Sequence, residues 1–144
     1  MPLKIDINAK SDIDSLANNV KKALYKGIAE ATIYIESEAK KNFGGSGQLK
    51  VRSGRLRSSI KSKSKEEEGT VYTDVIYAPV HEVGATIRQK KAPYLVFESG
   101  GQTRRVKQVV IPKRPFMFPA VTENIDNITK IIMNRLLEGM KDGN

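Results

Sequence analysis

One histidine, His81, stands directly before Glu82 in a chain of 144 residues. On a strand, neighbouring side chains point to opposite faces, so a His–carboxylate dyad would need an acid from elsewhere. With a single histidine there is no His-pair metal site. There is no cysteine, which excludes disulfides, thiolate chemistry and cysteine-ligated zinc and fits a protein made in a reducing cytoplasm. The acids are scattered except for Glu66, Glu67 and Glu68, which precede Gly69 in a turn-like context. No Asp/Glu cluster suggests a magnesium site. The glycine-rich run "GGSGQLKVRSGR" invites a phosphate-loop reading but fails it. No lysine with Ser/Thr behind it follows the last glycine, and a strand rather than a helix is expected next. The chain is read as a non-enzyme with no cofactor and no metal.

The charge is more informative. The formal net charge is +9, and the excess sits in the middle of the chain. From Lys40 to Lys65 there are nine basic residues and no acid; from Arg88 to Arg114 there are eight against Glu98 alone. Two readings stand: a surface facing a polyanion, or solvated loops and strand faces. For the first, the candidates are Lys50, Lys61, Lys63, Arg88, Lys90, Lys91, Arg104 and Arg105. Tyr72, Tyr77 and Tyr94 could stack bases beside them, but they suit a sheet core better.

These residues must be carried by a scaffold, and its elements can be read from periodicity. "LKIDI" (3–7) alternates like a short strand. Ser11 and Asp12 are candidate helix caps. Ile13, Leu16, Val20, Leu24, Ile28, Ala31, Ile35, Ala39 and Phe43 then recur every three or four residues, one face of a single long helix. Gly27 interrupts that face and marks close packing or a bend. About 30 residues give roughly 45 Å, long for one small domain, so part of the helix projects or meets another subunit, or it breaks near Gly27. "NFGGSGQ" ends it in a flexible loop.

The middle reads as β structure. "LRSSIKSKS" and "TVYTDVIYA" form a hairpin over 55–78, turning at Glu66–Gly69. "YLVFES" and "RRVKQVVI" form a second around Gly100 and Gly101. A loop with a short strand joins them over 79–93. Val121, Ile125, Ile128, Ile132, Leu136 and Met140 carry a C-terminal helix, with Pro119 in its first turn and Gly143 after it. The expected fold is α+β, one domain over 1–144, with long N-terminal and C-terminal helices packed on a mostly antiparallel sheet. No apolar run approaches the ~18 residues of a membrane span, and the first residues lack the apolar core of a signal peptide.

Three segments join glycine or proline to charged and apolar residues in ways that packing alone does not require: "VRSGRLRSSI" (51–60), "YAPVHEVGA" (77–85) and "IPKRPFMFPA" (111–120). In this order they resemble the phage tail-component family typified by the tenth gene product of a lambdoid siphophage. That family of neck or tail-completion proteins is related at a distance to those of Mu-like phages. The match runs through Ser53–Ile60, Tyr77–Gly84 and Arg114–Ala120, and Ala85 departs from the usual Gly-Thr. The hairpin over 94–111 resembles the longer, Mu-like relatives.

The resemblance implies a structural virion protein of the head–tail junction or tail top, assembled in the host cytoplasm. It implies self-association into a ring and contact with other neck, connector or tail proteins, with non-specific contact to channel DNA and no membrane partner. The alternative is a basic nucleic-acid-binding module. Candidate assembly residues are Arg52, Gly54, Arg55, Leu56, Arg57, Glu82, Gly84, Arg114, Pro115, Phe116, Phe118 and Pro119. Gly54 and Gly84 are expected at tight turns. Arg55 and Arg57 are expected to pair with Glu82 or to reach a neighbouring subunit. Phe116 and Phe118 lie two apart and would share one side of an extended run, anchoring the last helix, with Met117 opposite.

Overall fold

The computed structural model describes residues 9–142. The strand expected over 3–7 and the stop at Gly143 lie outside them. The class is α+β with antiparallel pairing throughout the named strands. The chain forms two compact units.

Helix α1 runs unbroken from Ala9 to Lys41, 33 residues, about 50 Å of helix. It is already under way at Ser11 and Asp12, so these are interior positions rather than caps. The first unit holds α1 up to Ser37, residues 61–72, and the chain from Val121 onward. The hairpin is β1 (Lys61–Lys65) and β2 (Glu68–Tyr72), registered with Lys61 opposite Tyr72 and Lys65 opposite Glu68. The turn is therefore tighter than the sequence suggested, and Glu66 takes a left-handed φ of 51°. Gly69 lies against Thr32 of α1, where a Cβ would overlap the Thr32 hydroxyl. That hydroxyl donates to the Ile28 carbonyl at 2.6 Å.

The C-terminal helical pattern is divided into α4 (Phe118–Thr122) and α5 (Ile125–Lys141). Asn124 occupies the N-cap position of α5, but its Oδ1 accepts from the Tyr34 hydroxyl at 2.9 Å instead of capping. Small residues let α1 and α5 approach closely. Ala23, Gly27 and Ala31 recur every four residues and are buried. A Cβ on Gly27 would come within 3.1 Å of the Ile132 Cα, and one on Gly139 would overlap the Ala23 methyl. Gly27 thus marks close packing, not a break. Alongside, the Arg135 guanidinium donates to Glu30 through Nε at 2.8 Å and Nη2 at 2.6 Å, and to Glu138 through Nη1 at 2.6 Å.

The second unit runs over 38–60 and 73–120. Two segments expected as strand or loop are short helices here. These are α2 (Arg55–Ser59) and α3 (Ala78–Val83). In α2, Leu56 is buried and Ile60 follows one helical turn later, fully buried. That i, i+4 spacing fits a helical turn as well as it fits alternation. Strand β3 (Ala85–Arg88) pairs with β6 (Gln108–Ile111), and β4 (Leu95–Ser99) pairs with β5 (Gln102–Val106) around Gly100 and Gly101. The stretch read as one strand, 104–111, is therefore split between two ladders. Each of the three ladders is two-stranded. The core of this unit is Ala39, Leu56, Ile60, Val75, Ala78, Phe116 and Ala120. The 44–48 loop is a hydrogen-bonded turn, with the Gly44 N–H donating to the Leu49 carbonyl at 3.0 Å and the Gly45 N–H to the Gln48 side chain at 2.9 Å.

Candidate functional site

The second and third sequence motifs meet at one carboxylate. Glu82, on α3, accepts hydrogen bonds from three consecutive backbone N–H groups: Phe116 at 2.9 Å, Met117 at 3.2 Å and Phe118 at 2.7 Å. These amides lead into α4, where backbone donors have no intrahelical partner. A negative charge satisfies them and complements the helix dipole. One residue earlier, the His81 carbonyl accepts from the Arg114 N–H at 2.8 Å. Two residues later, Gly84 (φ 78°) lies so close to the 111–113 backbone that a Cβ would stand 3.0 Å from the Lys113 nitrogen. Glycine is required there both for its left-handed φ and for the approach. The β3–β6 ladder starts at once, with Ala85 opposite Ile111. Glu82, Gly84 and the 114–118 backbone therefore form one clasp.

The clasp aims the side chains that follow. Phe116 is fully buried and stacks on Phe43, ring centroids 4.9 Å apart and planes tilted 45°. Its carbonyl accepts from Asn42 Nδ2 at 2.9 Å. Phe118, in contrast, is 67 % exposed. The expected sharing of one side by these two rings fails, because the chain turns into α4 between them and no longer alternates. Pro119 falls in the first turn of α4, as expected.

The expected pairing of Glu82 with Arg55 or Arg57 also fails. No ion pair joins them among the described residues, and the carboxylate is occupied by the three amides. His81 shares a helix with Glu82, not a strand, and its ring packs nearly perpendicular to that of Tyr77, centroids 5.9 Å apart. Gly54 precedes α2 with a left-handed φ of 73°, and its carbonyl accepts from the Ser58 N–H at 2.9 Å. The Ser59 and Thr73 hydroxyls are 2.6 Å apart and tie the end of α2 to the segment before α3.

A cleft of about 660 Å³ opens in the second unit. Phe43, Leu56, Phe97 and Ile111 contribute its apolar wall, while Lys50, Arg52, Arg57 and Arg114 stand around it. Several of the assembly candidates thus converge on one depression. Phe97, on β4, joins them although sequence reading passed over it. Its only signal was its place in a basic hairpin.

The remaining candidates are dispersed. Lys61 and Lys63 lie on β1 in the first unit; Arg88, Lys90, Lys91, Arg104 and Arg105 lie on β3, β5 and a loop of the second. All are exposed. Tyr72, Tyr77 and Tyr94 are exposed by 40, 43 and 47 %, so the expectation that they fill a sheet core is overturned. Only Tyr72 lies on a strand, at the end of a two-stranded ladder; Tyr77 stands at the start of α3 and Tyr94 just before β4. Lys63 Nζ sits 5.4 Å from the Tyr72 ring centroid, a cation–π distance. No group of three or more metal-ligating side chains occurs among the described residues, and no described helix is long and apolar enough to cross a membrane.

In this two-unit α+β chain the second and third motifs close one clasp, and residues of all three line one basic cleft. Residues 30–137 match the phage virion morphogenesis family, a span that holds all three motifs and well over half of the chain, and the protein belongs to that family. Its role is accordingly in building the phage particle. No curated protein and no solved structure matches the chain.

Proposed function

We propose that the protein is a structural component of the head–tail junction or tail top. In this reading it self-associates into a ring, completes the tail and readies it for joining to the head, in contact with neck, connector or tail proteins. The supporting observation is the outer face of α5. Ile125, Met133, Leu137 and Met140 are between 48 and 56 % exposed, and three of them are spaced at helical intervals on one side. An exposed apolar stripe of this kind marks an interaction surface. Ile13 and Leu16 add exposed apolar area at the start of α1.

Electron microscopy of particles made with and without the protein tests the reading. Headless or unfinished tails are expected in its absence; normal, head-attached tails would overturn it. The exposure of all the basic candidates keeps a second reading, a nucleic-acid-binding module. It requires tight, salt-sensitive binding of DNA or RNA by the isolated protein.

A further inference from the structure

We infer that the basic cleft of the second unit is a docking site for an acidic segment of another virion protein that carries bulky apolar side chains. This rests on the assembly role proposed above and adds the chemistry of the partner. The wall is built, not incidental. Val109 and Ile111 lie two apart on β6, so they present the same strand face to the cleft. Leu56 is held by one turn of α2, and Phe43 is fixed by its stack on Phe116. Phe97 reaches the cleft from β4 and is still 38 % exposed. An apolar surface of this kind gains by covering.

The charges say what should cover it. Lys50 and Arg52 come from the loop before α2, Arg57 from α2 itself and Arg114 from the segment after β6. Glu98 is the single acid among the lining residues. Four cations from three separate elements converge against one carboxylate, an arrangement that attracts anionic partners and repels cationic ones. Charge alone would suit a phosphodiester backbone, but double-stranded DNA offers its phosphates without apolar side chains to fill the wall. A polypeptide with carboxylates beside leucine, isoleucine or phenylalanine satisfies both features. Apolar anchors seated in a desolvated pocket would then supply most of the affinity, with the arginines fixing the register.

The test uses the full chain and a fluorescein-labelled peptide in which aspartate alternates with leucine. Its controls are the same peptide with serine for leucine and a single-stranded oligothymidylate of equal charge. Both the serine peptide and the oligothymidylate are expected to bind at least about tenfold more weakly. Arg52→Glu with Arg57→Glu, and separately Phe97→Ser, should each cause a loss of similar size, with far-ultraviolet circular dichroism unchanged. No binding of the leucine peptide, equal binding of the oligothymidylate, or insensitivity to Phe97→Ser would each overturn the proposal. Self-association abolished by the Arg52/Arg57 charge reversal would do so too, because the occupant would then be a second copy.

Complementation of a phage lacking the gene separates this proposal from the role beneath it. If particles are normal without the protein, the assembly role fails. If they are defective and the cleft variants restore them fully, only the cleft proposal fails.

Discussion

Glu82 carries three hydrogen bonds on one side chain, and this sets what its removal should do. A carboxylate accepting from backbone amides makes charge-assisted bonds, worth about 1.5–3 kcal/mol where the group is well placed. Glu82→Ala should lower the unfolding free energy by roughly that amount in denaturant titration, and Glu82→Gln should recover part of it by keeping one acceptor oxygen. Because Arg55 is not its partner, Arg55→Ala and Glu82→Ala should add to within about 0.5 kcal/mol in a double-mutant cycle. Strong coupling would mean that the pair forms after all. The two phenylalanines make a second contrast. Phe116→Ala removes a fully buried ring and should cost about 3–5 kcal/mol by chemical denaturation. Phe118→Ala should leave monomer stability nearly unchanged. At this scale the sequence showed that the motifs belong together but not why. Every residue except proline carries an N–H, so a carboxylate whose partners are backbone amides leaves no mark in the partner's side chains. The cationic neighbours Arg55 and Arg57 were the visible alternative, and they misled.

Among the elements, long periodic patterns were legible and single turns were not. The apolar repeat from Ile13 onward defines α1 over many turns, so local ambiguity averages out. In α2 and α3 there are five or six residues each, too few for a period to emerge. Pro79 in the first turn of α3 was a usable signal, because proline favours that position. The seam between α1 and α5 was half legible. Gly27 interrupts an apolar face and so shows in the sequence, but Gly139, which makes the tighter approach, lies in an unremarkable helical stretch. Gly139→Ala would gain helix propensity of about 1 kcal/mol, yet its methyl would press on Ala23 with no flexible neighbour to yield. Overpacking of that kind costs about 1–3 kcal/mol, so the melting temperature should fall rather than rise.

The same helix pair carries a pH dependence. The hydrogen bonds from Arg135 hold the Glu30 carboxyl below its ordinary value of 4.5, and those to Glu30 and Glu138 hold the Arg135 guanidinium above its own. A carboxyl depressed in the folded state stabilises above its unfolded pKa and loses that contribution as the pH falls through the lowered value. The difference in melting temperature between wild type and Glu30→Gln should therefore be present at neutral pH and vanish in acid. High salt should shrink it too, because both groups are exposed.

For the whole molecule, the question is what the outer face of α5 meets. Leu137 is half exposed in the middle of the apolar stripe. On the self-association proposed above, Leu137→Asp should leave the fold intact and shift the protein toward monomer in sedimentation velocity. Unchanged association would remove α5 from the interface. The net charge and the missing cysteines narrowed the class of protein from the start. The three ordered motifs pointed to phage virion proteins, and it is at that level that the family match agrees with them. The division into two units could not be read, because α1 passes through both and no linker composition marks the boundary.

The clasp has one more consequence. It closes the base of a long excursion: Glu82 and Gly84 hold the 111–118 backbone, β3 pairs with β6, and the Gln89 N–H donates to the Lys107 carbonyl at 3.3 Å. Everything between Gln89 and Lys107 is thereby an insertion with both ends pinned. Lengthening a loop anchored in this way costs only about 0.6 kcal/mol per doubling. The β4–β5 hairpin is thus a module whose length and sequence can drift while the scaffold stays put. It also brings Phe97 to the cleft, so on the docking inferred above the part of the chain that the scaffold constrains least would be the part that meets the partner. On that inference, rewriting the hairpin would change what the cleft accepts without touching the residues that hold the fold.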